Sequence, residues 1–317
     1  MKCVVFGGGG FIGSAIVDKL LVGGHSVRVF ERPRVTPYRL FSETEKVEWM
    51  TGDFLSIHDI SSALEGMDTV IHLVSFTLPK TSNDDLIYDV QTNLIATIQL
   101  LNSMLAMKIN KIVFISSGGT VYGVPRYIPI DEDHPTDPVV SYGITKLAIE
   151  KYAGLYFEIQ KLPVICLRPG NVYGRWQKPF RGQGFVATAM ASLYKSQQIS
   201  IYGRVSAIRD YVHVDDMSNA ILAALDHGIP GLVYNVGTGK GRDLYQILEA
   251  IEVAAGRKFQ DGMIQVLPER PFDVPVNILD SSLINSHTGW CPTVSLADGM
   301  SEAWNHMKNF PSFYGLE

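Results

Sequence analysis

Three things are scarce or missing in this 317-residue chain, and each absence narrows what it can be. Cysteine is scarce: Cys3, Cys166 and Cys291 are odd in number and far apart. No disulfide framework follows, and no pairing of Cys and His has the spacing of a metal site. Cys3 and Cys166 sit in apolar runs, which predicts buried free thiols and a reducing, cytoplasmic setting. Positive charge is short: 27 Lys and Arg against 32 Asp and Glu leave a net charge of −5. There is no electrostatic footprint for nucleic acid, so the basic residues serve local anions. Long apolar runs are missing, and none reaches membrane-spanning length. The chain enters a strand-like run at once, without the layout of a signal peptide. Apolar residues, in contrast, make up 46% of the chain. At this length they predict a large core in one large or two unequal domains.

The densest signal is near the start. Cys3-Val4-Val5-Phe6 reads as a buried strand, Gly7 to Gly10 follow, and Phe11, Ile12, Ala15, Ile16 and Leu20 recur at helical spacing. Strand, glycine turn and helix let the backbone approach a pyrophosphate and offer it the free N–H groups of a helix N-terminus. Two spacings fit, Gly8-x-Gly10-x-x-Gly13 and Gly7-x-x-Gly10-x-x-Gly13. A strand over 26–30 ends at Glu31, where a carboxylate accepts hydrogen bonds from adenosine ribose hydroxyls and favours NAD. Arg32 and Arg34 are placed to pair with the extra phosphate of NADP instead.

Further strands are expected over 47–50, before Gly52-Asp53; over 69–74, ending near Ser75; over 111–115, before Ser116-Ser117; and over 164–167, before Arg168-Pro169-Gly170-Asn171. One long helix is expected over 85–108. Alternating strands and helices imply right-handed crossovers and a doubly wound parallel (Rossmann) α/β sheet. Its ligands belong outside the carboxyl ends of the strands. After Asn171 the texture changes. Residues 175–208 are rich in Arg, Lys, Gln and Gly, with a helix over 185–194, and 257–292 carry turn residues and prolines. The expected division is 1–174 with 209–255 as an NAD-binding domain, and 175–208 with 256–317 as a smaller α/β substrate-binding lobe.

Ser141-Tyr142-Gly143-Ile144-Thr145-Lys146 opens a helix that continues through Leu147, Ile149, Tyr152 and Leu155. Tyr142 and Lys146, four apart, share one face. A tyrosine with a pKa of about 10 is a poor base at neutral pH. A lysine ammonium and the positive ring of an oxidised nicotinamide beside it lower that value. Tyr142 can then exchange a proton with a substrate hydroxyl, and Lys146 can also hold the nicotinamide ribose.

Taken with the glycine loop, further motifs run nearly end to end: Gly52-Asp53, Val70-Ile71-His72, Asn93, Ser116-Ser117, Val121-Tyr122-Gly123, Tyr142 with Lys146 and Arg168-Pro169-Gly170-Asn171-Val172-Tyr173-Gly174. They continue with Arg209-Asp210-Tyr211-Val212-His213-Val214-Asp215-Asp216, Tyr234-Asn235-Val236-Gly237, Arg270-Pro271-Phe272-Asp273, Asp280 and Gly289-Trp290-Cys291-Pro292. On these the chain resembles the extended short-chain dehydrogenase/reductases of the UDP-glucose 4-epimerase-like group. The resemblance favours the Gly7-x-x-Gly10-x-x-Gly13 spacing. It implies an NAD site of Gly7, Gly10, Phe11, Ile12, Gly13, Glu31, Asp53, Phe54, Leu73, Ser75, Asn93, Ser116, Tyr142 and Lys146, with Asp53 at the adenine and Asn93 bracing a helix near the site. It implies Tyr142 and Lys146 as the catalytic pair, Asn171 at the diphosphate or sugar, Tyr202 on the nucleotide base, and Arg209 and Arg270 clamping the diphosphate. For the two arginines the competing reading is surface ion pairing. His213 reads as a packed histidine, Trp290 and Tyr122 as core.

The departures matter. The family's usual Ser or Thr, five residues before the Gly of Val-Tyr-Gly, is Gly118 here. Thr120 is the first candidate to supply the missing hydroxyl and Ser117 the second. Dehydratases carry an Asp-Glu pair where this chain has Gly119 and Thr120, so neither elimination nor decarboxylation is equipped. The implied activity is an NAD-dependent 4-epimerase of UDP-hexoses or UDP-N-acetylhexosamines. The alternative is an NAD(P)H-dependent 4-keto-6-deoxy sugar-nucleotide reductase. A regulator without turnover is disfavoured by the intact Tyr142 and Lys146. By the same resemblance, the helices over 85–108 and 141–160 pair in a homodimer.

Overall fold

The computed structural model describes residues 1–203, 207–268 and 273–317. The N-terminal half forms strands β1 (Lys2–Phe6), β2 (Ser26–Glu31), β3 (Val47–Thr51), β4 (Thr69–His72), β5 (Lys111–Ile115) and β6 (Val164–Pro169). Helices α1 (Phe11–Val22), α2 (Ile57–Leu64), α3 (Leu86–Asp89), α4 (Ala96–Met107) and α5 (Ser141–Gln160) connect them. Strands β7 (Asn171–Tyr173), β8 (Ile199–Tyr202), β9 (Ile208–His213), β10 (Val233–Val236), β11 (Gly241–Arg242), β12 (Ile264–Leu267) and β13 (Val276–Asn277) follow. The helices among them are α6 (Phe185–Lys195), α7 (Val214–His227), α8 (Leu244–Ala255), α9 (Ser282–Thr288), α10 (Leu296–Asn309) and α11 (Pro311–Tyr314). No helix among the described residues is long and apolar enough to cross a membrane.

Among the described residues, seven strands pair in parallel in the order β10-β6-β5-β4-β1-β2-β3. Both faces are buried, which is why the strands read as near-continuous apolar runs. Along β5, Val113 and Ile115 enter one core, with α1, α7 and α9, while Ile112 and Phe114 enter the other, with α2, α4 and α5. Burying one such side chain stabilises the fold by about 1.5–3 kcal/mol. The two cores hold the sheet as a rigid platform whose carboxyl edge carries the loops of interest.

A third core joins α6, α8, α10 and α11. Here the packing interleaves the two expected stretches. Ile247, Leu248 and Ile251 of α8 pack with Val186, Met190 and Trp304, whereas Ile284 of α9 and the nearby Trp290 enter the core of the large sheet.

The 85–108 stretch is helical but is not one α-helix. Val90–Ile95 forms a π-turn between α3 and α4. An apolar pattern of period 3.6 does not register one inserted residue. Side chains take up the displaced carbonyls: Thr92 Oγ1 donates to Tyr88 O at 2.7 Å, Asn93 Nδ2 to Asp89 O at 3.0 Å and Thr97 Oγ1 to Asn93 O at 2.6 Å.

Candidate active site

β1 delivers the glycine loop to the carboxyl edge. Gly7 takes φ +85°, a conformation L side chains rarely adopt. A Cβ on Gly13 would stand 2.1 Å from the Gly7 carbonyl oxygen, to which Gly10 N–H donates at 3.2 Å. Gly7, Gly10 and Gly13 therefore close the turn. Gly8 and Gly9 are packing positions, where a Cβ would lie 2.9 Å from Val29 and 2.6 Å from Trp49. α1 begins after Gly10 with no side-chain cap and no acid in its first turn, whereas Ser56, Asp243 and Ser295 cap α2, α8 and α10. The first turn of α1, with Phe11 and Ile12 half-buried, keeps its N–H groups for an anion.

Glu31 ends β2 and its Oε1 accepts the Gly9 N–H at 3.0 Å; burial lifts its carboxyl, opposed by that bond. Asp53 is exposed after β3, its Oδ1 accepting from Leu55 N–H at 2.9 Å. Phe54 turns its ring into the core against Phe6 and His72, with centroids 5.4 and 5.0 Å away. Only its backbone is left to meet a cofactor. Leu73, after β4, would touch a Cβ on Gly7 at 3.4 Å. A turn that needs glycine at Gly7 and Gly13, an uncapped helix start and a carboxylate at the end of β2 suit a dinucleotide.

Tyr142 and Lys146 lie on the first turns of α5. Lys146 is 4% exposed, and its Nζ donates to the Ile115 carbonyl at 2.9 Å, one residue before Ser116. It sits 5.7 Å from the Tyr142 ring centroid. Burial draws the Lys146 ammonium down to about 8. Burial also pushes the Tyr142 phenol up to about 12, against a hydrogen bond from Ser75. The protein alone thus holds Tyr142 protonated at neutral pH. It is set to give a proton, and taking one requires a further positive charge beside the ring. Below Lys146, Glu150 accepts from Arg168 at 2.6 Å and from Ser116 Oγ, both partners buried. Arg168 Nη1 donates to Tyr122 OH at 2.8 Å, and Tyr122 OH donates to Asn235 Oδ1 at 2.7 Å. Ser116 is therefore part of a buried ionic network. Tyr122, expected as core, is its polar end.

Gly118 shows why its hydroxyl is missing. A Cβ there would stand 2.6 Å from Leu279 Cδ1 and 2.8 Å from the Arg168 carbonyl oxygen. The position points into the backbone of β6. Thr120 and Ser117 remain. Thr120 Oγ1 is sealed from solvent with no hydrogen-bond partner among the described residues. Its carbonyl oxygen would stand 2.7 Å from a Cβ on Gly143, the residue after Tyr142. Ser117 Oγ and Asn171 Oδ1 lie 4.0 and 3.7 Å from a Cβ built on Gly119.

In the smaller lobe, Tyr202 ends β8 and Arg209 lies near the start of β9. Arg209 donates only to the Ile208 carbonyl, at 3.0 Å, and forms no ion pair among the described residues. Burial holds its guanidinium below the usual arginine range. A desolvated arginine with no ion pair among the described residues departs from the surface-pair reading and suits an anionic ligand. Its cross-strand neighbour on β11 is Arg242, which sequence reasoning missed. Arg270 lies outside the described residues. His213 is buried: its Nδ1 accepts the Asp215 N–H and its Nε2 meets Glu302 at 3.3 Å. Trp290 is core, its Nε1 donating to Asp216 O at 3.0 Å.

Comparison with known proteins agrees with this geometry. The family model described as the NAD dependent epimerase/dehydratase family matches residues 3–237. UDP-glucose 4-epimerase of Mycolicibacterium smegmatis is 32% identical over 314 residues, 98% of this chain and 99% of that protein. Among solved structures, the UDP-glucose 4-epimerase of Thermotoga maritima, with UDP-glucose, superposes with a TM-score of 0.91 at 29% identity, covering 98% of this chain and 100% of that one. That of Thermus thermophilus, with NAD, gives 0.89 at 30%, covering 97% and 99%.

Proposed function

The chain belongs to the NAD-dependent epimerase/dehydratase family, and we propose that within it this protein inverts the C4 hydroxyl of a UDP-linked hexose or N-acetylhexosamine, with Tyr142 as acid and base. It is an NAD-dependent sugar-nucleotide epimerase of the extended short-chain dehydrogenase type. When bound, NAD accepts and returns the hydrogen that transient oxidation at C4 requires. The observation that carries the reading is the α5 pair: Tyr142 stands beside Lys146, which is anchored at the end of β5, on the same sheet edge as the glycine loop and separated from β1 only by β4.

The chain's own residues then divide the work. Gly7, Gly10 and Gly13 with the first turn of α1 hold the pyrophosphate, and Glu31 takes the adenosine ribose. Asp53 meets the adenine, Ser75 steadies the phenol and Lys146 holds the nicotinamide ribose. Tyr142 takes the proton of the 4-hydroxyl and later returns one to the opposite face. Asn171, Tyr202, Arg209 and Arg270 hold the nucleotide and diphosphate while the sugar turns. Thr120 donates a hydrogen bond to the C4 oxygen once the sugar packs against it, its hydroxyl having no partner among the described residues. Thr120→Val should then lower kcat about 10–100-fold, and Ser117→Ala clearly less. Full turnover in the Thr120 variant with loss in the Ser117 variant would reverse the assignment.

The test of function uses purified protein with UDP-glucose and UDP-N-acetylglucosamine and no added cofactor. The C4 epimer should form without net change in nicotinamide absorbance. Stoichiometric consumption of added NADH or NADPH with a 4-keto-6-deoxy sugar nucleotide would instead make it a reductase.

A homodimer belongs to the same reading. Leu86, Ile87 and Tyr88 on α3 and Ile144, Tyr152, Leu155 and Ile159 on α5 are exposed, Ile87 at 70% and Ile159 at 65%. Such an apolar face on two adjacent helices fits a second copy. Wild type should show dimer mass by light scattering, and Ile87→Glu with Leu155→Glu should give monomer. A monomeric wild type at working concentration removes the proposal.

A further inference from the structure

The segment between β4 and α4 holds α5 through a carboxylate and two capping side chains. Asp89 is fully buried and makes no ion pair among the described residues. Its Oδ2 accepts the hydroxyls of Ser141 at 2.6 Å and Thr145 at 2.7 Å. Its Oδ1 accepts the Thr77 hydroxyl and, at 3.0 Å, Asn93 Nδ2. A buried carboxylate without a cation persists only when its oxygens are hydrogen-bonded, as these are. Ser141 and Thr145 stand one before and three after Tyr142, so Oδ2 grips the first turn of α5 around the tyrosine. The same segment caps that turn. Asn83 Oδ1 accepts Ser141 N–H at 2.9 Å and Ser82 Oγ accepts Tyr142 N–H at 3.0 Å, replacing a cap that Val140 cannot supply. Asn93, one turn further along in the π-turn, braces Asp89, its Nδ2 donating to both the carbonyl and the carboxylate.

We propose that Asp89 is a positioning residue for the acid–base tyrosine, tying the first turn of α5 to the π-turn and setting a carboxylate against the turn that carries Tyr142. The proposal rests on the reading of Tyr142 given above. The charge opposes phenol ionisation, in the same direction as burial. The other ionisable groups at this end of α5 are Lys146 and Glu150 on the helix, His72 from β4 and Cys166 from β6. None of them caps or grips the first turn of α5.

Two variants separate tether from charge. Ser141→Ala with Thr145→Val removes the grip and keeps the carboxylate. Plateau kcat should fall about tenfold with bound NAD little changed and the pH of half-maximal kcat unmoved, while the melting temperature drops because Oδ2 loses both of its hydrogen bonds. Asp89→Asn keeps the shape and removes the charge. The limb on which kcat rises with pH, reporting the phenol, should move down by about one pH unit. A limb unmoved in Asp89→Asn, or kcat within twofold of wild type in the double variant, overturns the proposal. If Asp89→Asn melts too low to assay, the double variant decides alone. Tyr142→Phe separates the two readings: if it stays active, the role of Tyr142 fails. If it is inactive while both other variants behave as wild type, only the role of Asp89 fails.

Discussion

Tyr142→Phe is expected to lower kcat by about 10²–10⁴-fold, the range for loss of one positioned acid–base group. The ring and its packing remain, so bound NAD and melting temperature should stay close to wild type. Only the proton path is lost. In the protein alone the phenol is pushed up to about 12 and the Lys146 ammonium drawn down to about 8, each by burial. At neutral pH both carry their protons. Tyr142 gains the ability to accept a proton only as positive charge gathers beside it, and the rate of the wild type should therefore rise with pH until the phenol is ionised. That limb should vanish in the Phe variant. Epimer formation followed by nuclear magnetic resonance, with NAD measured after denaturation, tests both points. A Phe variant within tenfold of wild type would remove Tyr142 from the chemistry.

Glu150→Ala is expected to destabilise the fold by about 3–5 kcal/mol, because it leaves Arg168 charged and buried without its partner. The side chains of both residues are 5% exposed or less. Arg168 donates three hydrogen bonds to the Glu150 carboxylate, through Nε to both oxygens and through Nη2 to Oε2. Burial alone would make Arg168 easier to deprotonate, but the bonds and charge of Glu150 reverse that. Replacing both residues by apolar ones of similar volume, Glu150→Leu with Arg168→Met, should recover most of the loss, since the ion pair itself adds little net stability. Urea unfolding measures both. A single variant within about 1 kcal/mol of wild type would show that water or a rearranged partner reaches Arg168.

The two cases differ in how well the sequence announced them. Tyr142 and Lys146 were legible because four residues is one helical turn and both types have a definite chemistry. Glu150 is one turn further on, yet nothing in its own stretch marks it as buried until β6 brings Arg168 over it. Asp89 was harder still. It falls in a stretch whose apolar spacing fits a plain helix, and a π-turn leaves no mark on that spacing. Its partners Ser141 and Thr145 come from a helix 52 or more residues away. Gly118 read as a vacancy to be filled, but β6 and Leu279 occupy the space where a side chain would go.

The sequence by itself determined the parallel sheet, the loops gathered at its carboxyl edge, the glycine turn and the helix that carries the tyrosine. Each follows from local rules: apolar runs of strand length, glycines where a Cβ would meet backbone, side chains one turn apart. Only the tertiary structure decided which polar groups lose water together. Asp89 finds Ser141 across 52 residues and Glu150 finds Arg168 across 18. Arg209 is desolvated and makes no ion pair among the described residues. Burial sets the charge state and stiffness of such groups, and burial is a property of what packs against a residue rather than of its neighbours in the chain.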